Sequence, residues 1–179
     1  MIYIGALDQG TTSTRFIIFN ENGEIVSISQ LEHQQILPQS GWVEHDANEI
    51  WRNTQKVMAG ALAEAGITES DLTAIGITNQ RETAVAWDLK SGQPLTNAIV
   101  WQDTRTADYL NGFSESDKRI ITSKTGTPIA PYFSASKMAW MLKHKIIDTS
   151  NLAFGTIDAW LLFKLTGEFA TDVTNASRT

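Results

Sequence analysis

The chain contains no cysteine, which removes disulfides, thiolate metal sites and cysteine nucleophiles together. It is also short of positive charge: 14 Lys and Arg stand against 20 Asp and Glu, for a formal net charge of −6. That balance argues against a nucleic-acid partner, because a phosphate backbone needs clustered cations. A small anionic ligand needs only a local positive site and stays open. No apolar run approaches the ~20 residues that span a bilayer. The N-terminal apolar run lacks the preceding basic region of a signal peptide. The expected location is the cytoplasm, with which the absence of cysteine agrees. There is no GxxxxGK[ST] string, so this is not a P-loop protein. His33, His45 and His144 lack zinc-site spacing. Ser134 and Ser136 have no paired base in view, so a serine-hydrolase reading has no support.

What is present is an ordinary globular composition, 42% hydrophobic and 19% charged over 179 residues, long enough for one domain with a real core. The most informative stretch opens the chain. A short apolar run ends in Asp8; Gly10, Thr11, Thr12 and Ser13 follow as a glycine–hydroxyl turn, then Arg15 and a second apolar run. Backbone N–H groups in such a turn converge on an anion. Gly10 lets the backbone approach a phosphate, Thr11, Thr12 and Ser13 offer hydroxyl and amide donors, and Arg15 offers a bidentate contact. Asp8 is suited to Mg²⁺, held through water. The cluster therefore fits a Mg-nucleotide such as ATP, although alone the string is equally a hairpin with a polar turn.

The pattern predicts strands over residues 3–7, 15–19 and 24–31, the third without clean alternation. A helix follows Asp46, with Ile50, Thr54, Val57, Ala61 and Ala65 at helical spacing and Gly66 as its end. Strands are predicted over 72–78, 83–88 and 98–101. The remainder reads as mostly helical, over 104–110, 114–121, 134–144 and 157–165, with Met138, Met141 and Leu142 on the apolar side of the third. There are no repeats, no low-complexity segment and no clear linker. The class is α/β.

Five segments carry a resemblance: DQGTTSTR (8–15), ITNQRET (77–83), WQDTR (101–105), PYFSASK (131–137) and TDVTNASRT (171–179), with GWVEHD (41–46) beside them. Together they resemble the FGGY family of carbohydrate kinases, its glycerol kinases in particular, from Ile4 to Thr179. The resemblance implies a ribonuclease-H-like α/β domain of the actin/hexokinase superfamily, left incomplete in this chain. Residues 1–179 would be the N-terminal part of the first of two domains. It also implies ATP-dependent phosphorylation of glycerol, with Mg²⁺. The family's aspartate base and its second domain are expected beyond Thr179, so the chain alone is expected to be inactive and to leave apolar surface open. Family members are commonly dimers or tetramers, so a homo-oligomer is open.

The family's glycerol-site residues carry over onto Arg81, Glu82, Trp101 and Tyr132. The chemistry suits a triol: Glu82 accepts from two hydroxyls, Arg81 donates and balances Glu82 when shielded from water, and Trp101 and Tyr132 pack against the CH face. Singly, an Arg–Glu pair is usually solvated, a Trp is core and a Tyr is a loop residue. All four within matching motifs reverse that balance. Asp103 and Arg105 read as orienting Trp101 and its loop, and Trp42, Trp51 and Trp140 as core or interface. The alternatives are another polyol or sugar kinase, or a non-catalytic ligand-binding or self-associating module.

Overall fold

The computed structural model describes residues 2–144 and 150–179. In chain order it has β1 (Tyr3–Gln9), β2 (Ser13–Asn20), β3 (Ile25–Glu32), β4 (Glu44–His45), α1 (Ala47–Ala65) and β5 (Leu72–Asn79). There follow β6 (Ala84–Asp88), β7 (Gln93–Pro94), β8 (Ala98–Ile99), α2 (Ala107–Asn111), α3 (Glu115–Thr125), α4 (Ser134–His144), β9 (Leu152–Thr156), α5 (Ile157–Thr166) and α6 (Val173–Ala176). Two compact units result: residues up to Gln34 with Asn48–Gln80, and Gln35–Ala47 with Arg81–Thr179.

The first unit is a sheet of order β3-β2-β1-β5. β1, β2 and β3 form an antiparallel meander, and β5 lies parallel to β1 after the α1 crossover. Alternation sends Leu7 and Gln9 of β1 and Thr14, Phe16 and Ile18 of β2 to the buried face. α1 turns Ile50, Thr54, Val57 and Ala61 inward, the predicted stripe. Ser27 Oγ on β3 donates to Ala61 O at 2.8 Å, and Asn53 Nδ2 donates to Glu32 O at 3.0 Å, fixing the helix to the sheet. Each large apolar side chain buried here contributes roughly 1.5–3 kcal/mol. The uneven alternation of β3 has a cause in a register shift opposite Ile18 and Phe19. Gly66, at φ +66°, ends α1 as expected. On the face bearing Asp8 and Arg15, Ile4 and Ile28 stay 45% and 43% exposed.

The second unit has β8, β6 and β7 with β4 beside β8, and β9 paired antiparallel to β6. Ala84, Ala86, Ile99 and Met141 form one core, with Met138, Trp140, Leu152 and Phe154 against it. Trp87, also on β6, is wholly buried and meets Trp160 of α5 edge-on at 5.6 Å. β9 corrects the reading of the C-terminal half as helical. Ala153 and Gly155 are weak strand formers, so the strand is made by its partner: a Cβ on Gly155 would sit 2.9 Å from Trp87 Cη2 and 2.8 Å from Ala159 Cβ. Three smaller corrections apply. The strand expected over 98–101 stops at Ile99, because Trp101 enters a turn whose N–H donates to Thr83 Oγ1 at 3.2 Å. The helix expected from 104 begins at Ala107, the Thr104 N–H being drawn to Gly41 O at 2.9 Å. Leu142 is 58% exposed, while its neighbour Met141 carries the contact. Among the described residues no helix is long and apolar enough to cross a membrane.

Candidate functional site

In the first unit, the β1–β2 hairpin brings Asp8, Gly10, Thr11, Thr12, Ser13 and Arg15 into one turn. Asp8 and Arg15 are cross-strand partners, with Oδ2 and Nη2 3.7 Å apart and both side chains about 40% exposed. The turn is rigid from behind. Gly10 O accepts from Gln9 Nε2 at 2.8 Å and Gln80 Nε2 at 3.3 Å. The Thr11 carbonyl bonds His33 Nε2 at 2.9 Å, and Thr12 O accepts from the His33 N–H at 3.1 Å. In a planar trans peptide the N–H opposes the preceding carbonyl. The Thr11, Thr12 and Ser13 N–H groups therefore point away from these anchors. Burial lowers the His33 imidazole below its ordinary value, which suits a neutral strut. The Gly10 N–H itself is spent within the turn, on Ser13 O at 2.9 Å. A Cβ at Gly10 would meet only Ser13 O, at 3.4 Å, so glycine supplies room here rather than a special conformation.

Asp8 fits a water-held Mg²⁺, an ion that keeps several waters and uses one or two carboxylates. Its side chain is open to solvent and its nearest cation is 3.7 Å away. Among the described residues no group of three or more His, Cys, Asp or Glu converges to hold a metal directly. Arg15 Nε is buried without a hydrogen-bond partner among the described residues, while the side chain as a whole is 41% exposed.

The second unit gathers Glu82, Trp101 and Tyr132. Glu82 is 2% exposed and is the one non-glycine residue with positive φ, +61°, among those described. Such a backbone costs on the order of 1–3 kcal/mol and persists where surroundings impose it. Ser134 Oγ, at the start of α4, donates to Glu82 O at 3.2 Å. Trp101 and Tyr132 meet edge-on at 5.4 Å. The loop carrying Tyr132 is held by Lys137, whose fully buried ammonium donates to Pro131 O, Tyr132 O and Phe133 O at 2.7, 2.6 and 3.1 Å. Burial pushes Lys137 down to about 8, against the opposing pull of Asp103 and Glu82.

One expectation is corrected. Arg81 is exposed and does not balance Glu82. The left-handed backbone at Glu82 turns the two neighbours apart, and the counter-cation is Arg178, whose Nε meets Glu82 Oε1 at 2.5 Å. Asp172 caps α6 by accepting from the Asn175 N–H at 2.7 Å, and this short helix delivers Arg178. The Glu82 carboxylate raises the Arg178 guanidinium above its ordinary value, and the Tyr132 hydroxyl adds to this. Arg178 and Lys137 are missing from the sequence reading, although both sit inside the quoted SASK and ASRT strings.

Asp103 and Arg105 form a brace. Arg105 donates from Nε to Asp103 Oδ1 at 2.9 Å and from Nη2 to Oδ2 at 2.7 Å, and it pairs with Glu44 at 2.8 Å. Its guanidinium lies 3.7 Å from the centre of the Trp42 ring and 4.7 Å from Trp140. Asp103 Oδ2 also accepts from the Val43 N–H at 2.7 Å. Every acceptor of Asp103 is thus committed to structure.

A meander followed by a helical crossover to a parallel strand, in a mixed α/β chain with a glycine–hydroxyl hairpin, has the ribonuclease-H-like architecture of the actin/hexokinase superfamily of kinases. The sequence description of the FGGY family of carbohydrate kinases, N-terminal domain, matches residues 3–179, and the chain belongs to that family. It is 55% identical over 188 residues to "Glycerol kinase" of Methylorubrum extorquens (strain PA1), covering 98% of this chain and 37% of that protein. It is 50% identical over 193 residues to "Glycerol kinase" of Haloferax volcanii, covering 99% and 38%. Among solved structures, Plasmodium falciparum glycerol kinase with ADP superposes with a TM-score of 0.91 at 40% identity, over 100% of this chain and 37% of that one. Gluconate kinase from Lactobacillus acidophilus gives 0.88 at 25%, over 99% and 36%. The chain spans well under half the length of these relatives.

Proposed function

We propose that residues 1–179 are the N-terminal part of the first domain of an ATP-dependent glycerol kinase, carrying a phosphate-binding turn and most of a glycerol site. The observation that carries this reading is the cluster of Glu82, Trp101 and Tyr132, in a chain 55% identical to a glycerol kinase. Glu82 accepts polyol hydroxyls in a shielded position, where an ionised acceptor is strongest. Trp101 and Tyr132 supply an edge-to-face aromatic wall for the hydrocarbon side. Arg81 is exposed and free of an ion pair among the described residues, so it keeps its donors for the substrate.

In the hairpin, the Thr11, Thr12 and Ser13 amides and hydroxyls and the Arg15 guanidinium hold ATP phosphates, and Asp8 holds the waters of Mg²⁺. Mg²⁺, when bound, neutralises charge building on the phosphates. In the transfer, a terminal hydroxyl oxygen forms a bond to the γ-phosphorus while the bond to the β–γ bridging oxygen breaks, releasing ADP and glycerol 3-phosphate. The hydroxyl proton needs a base. Glu82 is tied to Arg178 and Asp103 to Arg105 and Val43, so neither is assigned that role. The base is proposed to be the family's aspartate beyond Thr179, and the 179-residue chain alone to be inactive.

The test is ADP release with Mg-ATP over a panel of glycerol, xylulose and gluconate, run on the 179-residue chain and on the intact gene product. Glycerol-dependent release by the intact protein alone is expected. Release driven better by xylulose or gluconate would replace the substrate, and release by the short chain would place a base within it.

A further inference from the structure

We infer that Arg178 is a positioning residue of the polyol site: it pins one oxygen of Glu82 so that the other is presented to a substrate hydroxyl in a single direction. The inference rests on the polyol reading above. Arg178 Nε meets Oε1 at 2.5 Å, while Oε2 has no hydrogen-bond partner among the described residues. The same guanidinium lies 5.5 Å from the centre of the Tyr132 ring and 5.3 Å from that of Phe133. One planar cation therefore touches both the acceptor and the aromatic wall. Its own side chain is 36% exposed against 2% for Glu82, so the cation faces solvent while the carboxylate is shielded from it.

A carboxylate free to rotate accepts hydroxyls over many geometries. Pinned at Oε1, Glu82 offers one acceptor at one place, which is what precise recognition by a first-contact group requires. Arginine suits the task and lysine does not, because the Nε bond and the ring contacts need a flat, forked cation. A buried acceptor that a substrate leaves unpaired rejects that substrate. The pinned carboxylate thus selects polyols with a hydroxyl at this position over deoxy analogues.

The test uses the intact gene product, with steady-state glycerol phosphorylation at saturating ATP for wild type, Arg178→Ala and Arg178→Lys. The expected result is a glycerol KM raised about ten- to a hundredfold in both variants, with kcat and the KM for ATP within about threefold. The discrimination between glycerol and propane-1,2-diol falls with it, and added methylguanidinium restores part of the glycerol KM of Arg178→Ala. Adding Arg178→Ala to a Glu82→Gln background raises KM no further, because the two residues act as one unit. An unchanged KM in both variants overturns the inference, as does a KM rise of equal size with and without the Glu82 carboxylate. If Arg178→Ala does not fold, Arg178→Lys decides: a wild-type KM overturns the inference, and a raised KM at an unaltered melting temperature supports it. A wild-type protein without polyol-dependent ADP release overturns the functional reading and this inference with it. Normal glycerol turnover with indifferent Arg178 variants overturns the inference alone.

Discussion

In the hairpin of the first unit, the groups offered to a ligand are backbone N–H groups, hydroxyls and a salt pair about 40% exposed. In the second unit they are side chains around a carboxylate 2% exposed, braced by a fully buried ammonium. The first needs little beyond a short turn with its carbonyls anchored behind it. The second needs residues from four separate stretches, 82, 101, 131–137 and 178, to arrive together. A backbone site tolerates side-chain change and is screened by salt; a buried side-chain site is strong, specific and fragile.

The largest way to break this contrast is Lys137→Met. It strips three carbonyls of their donor, and the expected loss is about 3 kcal/mol or more in the chemical denaturation of the chain. The pH dependence carries the same sign information. Lys137 titrates near 8 in the folded chain, below its ordinary value of 10.5. The unfolded chain therefore binds more protons between those values, so this residue's contribution to stability rises with pH across that window and is flat below it. The wild-type minus Lys137→Met difference in unfolding free energy, followed from pH 7 to 11, checks it; a flat difference would rule it out.

Next is Glu82→Gln, expected to weaken glycerol binding by about 1.5–3 kcal/mol, the range for a charge-assisted hydrogen bond. Calorimetric titration with glycerol at two salt concentrations should show nearly the same loss at both, because the group is buried. Gly5→Ala follows. Its Cβ would run into the Phe16 ring, behind the hairpin, and the expected cost is about 1–3 kcal/mol of stability, read as a lower melting temperature. The smallest effect is expected from Arg15→Ala: a loss of about 1 kcal/mol or less in Mg-nucleotide affinity, shrinking as salt rises. A loss at Arg15 that is larger than that at Glu82 and independent of salt would reverse the comparison.

Elements written in local chemistry were legible beforehand. The Asp8–Arg15 hairpin, the α1 stripe closed by Gly66, and α4 over 134–144 all follow from turn residues, periodicity and caps acting within a few positions. β9 was not legible, because Ala153 and Gly155 carry no strand preference and only packing shows that Trp87 takes the space a Cβ at Gly155 would need. Nor was the exposure of Leu142 beside buried Met141, since a stripe two residues wide does not say where its edge falls. The polyol candidates Glu82, Trp101 and Tyr132 were named from their motifs. The cation that serves Glu82 is not legible there, because it is Arg178 and not the chain neighbour Arg81.

The sequence by itself determined the family, the α/β class and the residues around the hairpin turn, because these rest on short-range spacing and on motif strings long enough to be specific. Only the tertiary structure decided which charges meet. Glu82 finds Arg178 96 positions away, and Lys137 donates to three carbonyls of the loop that precedes α4. The reason is physical: pairing of buried charge depends on which groups lose water together, and that is settled by packing rather than by proximity along the chain.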